Sequence, residues 1–158
     1  MDTGRYAKLF LSESKENLAE MNAALLELER DGGDVAIARL FRAVHTMKGM
    51  GAAMGYTAVG ELSHELETLL DKLRNGAIVV TRRVVDTLFE AVDSLERAVE
   101  LVTASTPEQL DVKDIIARIR QAASEEAPQT FTAEFATTGV EKRDATPVAA
   151  PQRASRQI

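Results

Sequence analysis

The chain contains two histidines, His45 and His64, and the residues around each are the ones most suited to chemistry. His45 lies in Ala43-Val44-His45-Thr46-Met47-Lys48-Gly49-Met50-Gly51. In a helix, Lys48 and Gly49 fall three and four residues beyond it, and both are its surface neighbours. An imidazole beside a cation and a missing side chain is a defined combination. The cation can neutralise an anion bonded to the ring, and the gap leaves room for a bulky group to approach. The second histidine begins a polar line, with His64, Glu67 and Asp71 spaced i, i+3, i+7 along one helical face. A carboxylate that accepts from the Nδ1–H of His45 fixes the tautomer and leaves the Nε2 lone pair outward as a nucleophile.

The elements that must position these residues follow from apolar periodicity. A first helix is predicted from about Gly4 to Arg30, with Leu18, Met21, Leu25 and Leu28 on one stripe, broken by Asp31-Gly32-Gly33-Asp34. A second is predicted from about Val35 to Met54, with Ile37, Leu40, Phe41, Val44 and Met47 on its apolar stripe. On a helical wheel His45 falls at the edge of that stripe, so its ring reaches water while its base is packed. Gly55-Tyr56-Thr57 ends this helix, and Thr57 is the expected N-cap of a third. The third buries Val59, Leu62, Leu66, Leu69, Leu70 and Leu73 and stops at Asn75-Gly76. Thr81 is the expected cap of a fourth, where Val85, Leu88, Val92, Leu95, Val99 and Val102 repeat at 3-4-3 spacing. A shorter fifth follows Pro107 with Val112, Ile115, Ile116 and Ile119, and only Ile78-Val79-Val80 has a strand-like character.

Short connectors between amphipathic helices make antiparallel neighbours. The expected fold is therefore all-α: an antiparallel up-down four-helix bundle with a fifth C-terminal helix. His45 is ten residues before Gly55 and Glu67 twelve after it, so a helical hairpin through that turn sets the two level across a groove. Gly49, Gly51, Gly55 and Gly60 fall within twelve residues. Each glycine inside a helix costs up to ~1 kcal/mol relative to alanine. Close helix approach suits Gly51 and Gly60, and clearance for a partner suits Gly49.

Composition narrows the chemistry further. The chain of 158 residues has no cysteine, which removes thiolate catalysis, disulfides and cysteine-ligated metals together. A net charge of −6 is unsuited to nucleic acid, whose phosphates require clustered Lys and Arg. No apolar run reaches the ~20 residues that span a bilayer. The N-terminus carries Arg5, Lys8, Glu13 and Lys15 where a signal peptide would be apolar. The default reading is a soluble cytoplasmic protein. All four prolines lie beyond residue 106, and the stretch from Ala127 is rich in Ala, Thr, Pro and Gln with little periodicity. The predicted organisation is a bundle over 1–126 and a flexible linker or tail over 127–158. Arg82-Arg83 reads as a solvated helix face, and Met47, Met50 and Met54 as core in preference to a soft docking surface.

Metal chemistry fits poorly: His64-Glu65-Leu66-Glu67-Thr68 lacks the second histidine of a zinc helix, and a di-iron bundle needs two Glu-x-x-His motifs. The Gly49–Gly55 segment lies late in a helix, not after a strand, so it is no dinucleotide fingerprint. There is no Walker-A sequence either, and nothing resembling an ATP-binding box.

The segment from Leu40 to Tyr56 closely resembles the phosphoacceptor segment of histidine phosphotransfer (HPt) domains, most of all those at the N-terminus of CheA-type chemotaxis kinases. Leu62 to Gly76, with its His-x-x-Glu pair, resembles the same domains, and the likeness covers roughly residues 5–125. The resemblance implies that His45 is the phosphorylated nucleophile, Lys48 the phosphate-side cation and Glu67 the Nδ1 partner. It places His64 behind them in the same network. It further implies a separate ATP-binding kinase domain that uses ATP with Mg²⁺, and CheY- or CheB-type receiver domains whose aspartate takes the phosphoryl group. This chain itself is then expected to bind no cofactor and no metal. It is read as a piece of a longer protein-histidine kinase, associated with membrane receptor arrays. Two alternatives stay open: a free-standing phosphorelay protein, and a helical adaptor in which His45 is incidental.

Overall fold

The computed structural model describes residues 3–104 and 110–124. The chain divides between Glu126 and Ala127, and every described residue lies in the first unit. The expected linker over 127–158 and Pro107, after which the fifth helix is expected, lie outside the described residues.

Five helices form: α1 (Thr3–Asp31), α2 (Asp34–Met54), α3 (Thr57–Arg74), α4 (Arg82–Thr103) and α5 (Lys113–Ser124). No strand occurs among the described residues, and Ile78 is buried against the core in the connector before α4. Each helix of the first four packs on two others, α1 on α2 and α4, and α3 on α2 and α4. The result is a closed ring of four, and α5 lies on the α3–α4 side.

The helices close because each presents one apolar stripe inward. Met21, Leu25 and Leu28 of α1 meet Leu40, Val44 and Met47 of α2, Leu62, Leu66, Leu69 and Leu70 of α3, and Leu88, Val92 and Leu95 of α4. All are essentially inaccessible to water. Each such side chain contributes about 1.5–3 kcal/mol by leaving water. Phe41, expected on the same stripe, is only half-buried and sits at its margin. Of the three methionines in α2, Met47 is core, whereas Met50 and Met54 pack against it from the edge.

The α2–α3 turn sets the register of the hairpin. Gly55 takes a left-handed conformation (φ 74°), and the Gly55 and Tyr56 N–H groups donate to the carbonyls of Ala52 and Gly51. These two bonds satisfy the last carbonyls of α2, and glycine is favoured there because a Cβ is strained at positive φ. Thr57 is not the cap of α3. It is the first helical residue, and Tyr56 holds the cap position with no side-chain cap bond. The cause is the two-residue turn: the Tyr56 carbonyl already accepts from Gly60, and its ring packs edge-on to Phe10 with centroids 4.9 Å apart. At α4 the expectation is met, since the Thr81 hydroxyl accepts from the Val84 N–H at 3.1 Å.

Gly51 and Gly49 lie two residues apart in α2 with opposite surroundings. A Cβ on Gly51 would stand 2.8 Å from Val59 Cγ1 and 3.1 Å from the Gly60 nitrogen, so glycine lets α2 and α3 approach. A Cβ on Gly49 would meet nothing within 4 Å, and the same holds for Gly60. The fifth helix is tied down by Ile115 and Ile119 in the core and by charged contacts at its surface. Arg120 donates to Glu65 at 2.8 Å, and Lys72 donates to the Ala123 carbonyl at 2.9 Å. A cation at the C-terminal end of a helix also suits its dipole.

Candidate functional site

With the register set by Gly55, the exposed edge of α2 faces Glu67 on α3. One Glu67 oxygen makes a short hydrogen bond with Nδ1 of His45, and the other accepts from the Lys48 ammonium at 2.6 Å. A single carboxylate from α3 therefore engages both His45 and Lys48 of the α2 motif. The His45 side chain is 64% exposed and that of Glu67 only 15%, so a nearly covered acid holds an accessible ring from behind. No protein group hydrogen-bonds Nε2 among the described residues. With Nδ1 committed to an acceptor, Nε2 is the nitrogen left to react.

The charge balance of the acid follows from these contacts. Burial pushes the Glu67 carboxyl up, but hydrogen bonds from Lys48 and His45, with the positive charge of Lys48, outweigh it and hold the group below the usual carboxylate range. Glu67 is thus an anion across the physiological range and a permanent acceptor for the imidazole N–H.

The sequence-based expectations for the other residues have mixed outcomes. Lys48, assigned by resemblance to the phosphate side, here spends its ammonium on Glu67. His64 lies on the exposed face of α3 and makes no side-chain hydrogen bond to His45, Lys48 or Glu67. Asp71 does not join the line toward His45; it accepts from Arg74 at 3.0 Å. Asp71 lies about one turn beyond Glu67 along α3, where Arg74 three residues on is its neighbour. Gly49 is exposed beside His45 with open space over it.

Two contacts were not anticipated. The Phe41 ring lies nearly parallel to that of His45, 10° between planes and 6.2 Å between centroids, and the Arg74 guanidinium sits 3.9 Å from the Phe41 centroid. The i, i+4 spacing of Phe41 and His45 is a legible signal for the first. The second joins α2 to the end of α3, and no local pattern announces it.

Over residues 5–122 the sequence matches the Hpt domain, and the chain belongs to that family. Within it, this chain is homologous to the phosphotransfer domains of CheA proteins. It is 42% identical over 120 residues to the chemotaxis protein CheA of Bacillus subtilis, covering 75% of this chain and 18% of the relative. Against the chemotaxis protein CheA of Halobacterium salinarum the identity is 36% over 121 residues, 76% of this chain and 18% of the relative. The chain thus spans about a fifth of the length of these curated relatives.

Two solved structures share the fold. The phosphorylated P1 domain of CheA3 in complex with CheY6 from R. sphaeroides aligns with a TM-score of 0.71 at 26% identity, covering 77% of this chain and 97% of that one. The CheA phosphotransferase domain from Thermotoga maritima aligns with a TM-score of 0.61 at 39% identity, covering 65% and 98%. The all-helical architecture read from the sequence is that of these domains.

Proposed function

We propose that this chain is the phosphoacceptor and phosphotransfer domain of a CheA-type histidine kinase, and that His45 carries the phosphoryl group. The observation that carries this reading is an exposed imidazole whose Nδ1 is engaged by the covered carboxylate of Glu67. Family membership and the CheA relatives support it.

In the proposed reaction Nε2 of His45 attacks the γ-phosphorus of ATP held with Mg²⁺ by a separate kinase domain. The N–P bond forms, the bond to the β-phosphate oxygen breaks, and ADP leaves with the electron pair. Glu67 keeps the Nδ1 proton and stabilises the positive charge that develops on the ring. Lys48 neutralises Glu67, which would otherwise repel the incoming phosphate, and its flexible stem lets the ammonium shift toward the phosphoryl oxygens. In the second step a receiver-domain aspartate of a CheY- or CheB-type regulator attacks phosphorus, and the electron pair returns to Nε2. Gly49 gives both partners access to the ring. His64 adds polarity one turn from Glu67. The bundle's own contribution is positioning and charge, which dominate phosphoryl transfer generally.

This reading places the chain in the cytoplasm, with its parent kinase at membrane receptor arrays. No described helix is long and apolar enough to cross a membrane.

The test is ATP-dependent labelling by an isolated CheA-type kinase domain. Acid-labile, alkali-stable label on the wild-type chain that is absent from His45→Gln supports the proposal. Equal label on the variant, or none on a folded wild-type chain, contradicts it and favours an adaptor role.

A further inference from the structure

A hydrogen bond to Nδ1 does not by itself hold an imidazole still. It is a soft restraint on one ring atom, and small excursions of χ1 and χ2 that stretch or bend it still rock the ring. Nε2 lies across the ring from that bond, so each excursion displaces the reacting nitrogen. The His45 side chain is 64% exposed, and few neighbours restrain it. The Phe41 ring, 10° from parallel with its centroid 6.2 Å away, opposes that rocking.

Phe41 is itself held. It is half-buried against the core, and the Arg74 guanidinium lies 3.9 Å from its ring centroid. Arg74 donates in turn to Asp71 at 3.0 Å. Counting from the Gly55 turn, Arg74 is level with a point on α2 beyond Phe41 on the side away from His45. Phe41 therefore lies between Arg74 and His45 along the α2–α3 seam.

We infer that Phe41, braced by Arg74, is a positioning residue that holds the plane of the His45 imidazole and so aims Nε2. This rests on the phosphoacceptor reading for its kinetic consequence, though not for the ring geometry itself. Two readouts separate them: the rate of labelling by a CheA-type kinase domain, and His45 ring mobility from ¹³C relaxation of its ring carbons.

Phe41→Leu keeps an apolar side chain and removes the flat face. It is expected to raise His45 ring mobility and to slow labelling about tenfold in kcat with KM unchanged, the size of effect a misaimed nucleophile gives. Phe41→Tyr restores the face and is expected to return both readouts to near wild type. Arg74→Met is expected to act in the same direction, about threefold in rate, and carries the test should Phe41→Leu lower the Tm sharply. Wild-type mobility and rate in Phe41→Leu and Arg74→Met overturn the inference. Absence of label on a folded wild-type chain defeats the phosphoacceptor reading, and the relaxation data then decide the positioning role alone.

Discussion

Among the described residues, two charged clusters of three side chains cross between neighbouring helices, and they are built as opposites. Between α1 and α2 one cation, Arg39, is held by two carboxylates: it donates to Glu20 at 2.7 Å and makes a short bond with Glu27. Between α2 and α3 one carboxylate, Glu67, holds two nitrogen groups, Lys48 and His45. The Arg39–Glu20 bond pushes the arginine further up and Glu20 down, so that pair stays charged at any physiological pH. A guanidinium cannot act as a base or nucleophile there, and the cluster can only clamp. In the Glu67 cluster one member has a second nitrogen outside the network. The same kind of interhelical pairing becomes a site for chemistry because the residue held is an imidazole and the acid holds it from only one side.

This contrast is broken most forcefully by removing each hub. Glu67→Ala should slow labelling of His45 about 10²-fold, with Glu67→Gln intermediate because its amide oxygen still accepts. Arg39→Met should do the reverse, lowering the Tm while leaving the labelling rate within about twofold. A labelling defect in Arg39→Met as large as that of Glu67→Ala would erase the distinction between clamp and site.

The two glycines of α2 divide between packing and access in the same way. Gly51→Ala forces a methyl to within 2.8 Å of Val59 Cγ1, and should cost about 1–3 kcal/mol in urea unfolding. Gly49→Ala has open space and should raise stability by up to about 1 kcal/mol through helix propensity. A bulky residue at Gly49 should leave the fold intact and slow transfer from the kinase domain. Equal destabilisation at both positions would show that Gly49 is a packing residue.

The smallest effect is the pH dependence of the Glu67 network. Its carboxyl is held below the usual range in the folded chain, so its contribution to stability is complete above the ordinary carboxylate range. That contribution is lost as pH falls through the group's own lower range. The stability difference between wild type and Glu67→Gln should accordingly shrink on acidification and vanish in strong acid. A difference that grows with acid would reverse the sign.

Much of this organisation is legible in the amino-acid order because its determinants are local. Apolar stripes at helical spacing mark the five helices, and the short turn at Gly55 converts residue counting into spatial register. That is why His45 and Glu67 can be paired before any coordinates. What escapes counting depends on the end of a side chain, not the position of a Cα. Lys48 could have pointed outward, yet its four-carbon stem bends to the second oxygen of Glu67. Asp71 and His64 share a face with Glu67, but a short acid and an outward ring do not reach the network. The bracing of Phe41 by Arg74 joins residues on different helices, and only their three-dimensional packing brings them together.

In the proposed reaction Glu67 occupies one imidazole nitrogen of His45 and so dictates which one reacts. Long-range ¹H–¹⁵N NMR of the ¹⁵N-labelled, phosphorylated chain reads this directly. The expected result is a phosphorus coupling at Nε2 of His45 and a proton retained on Nδ1. Phosphorylation at Nδ1, or on His64, would contradict it.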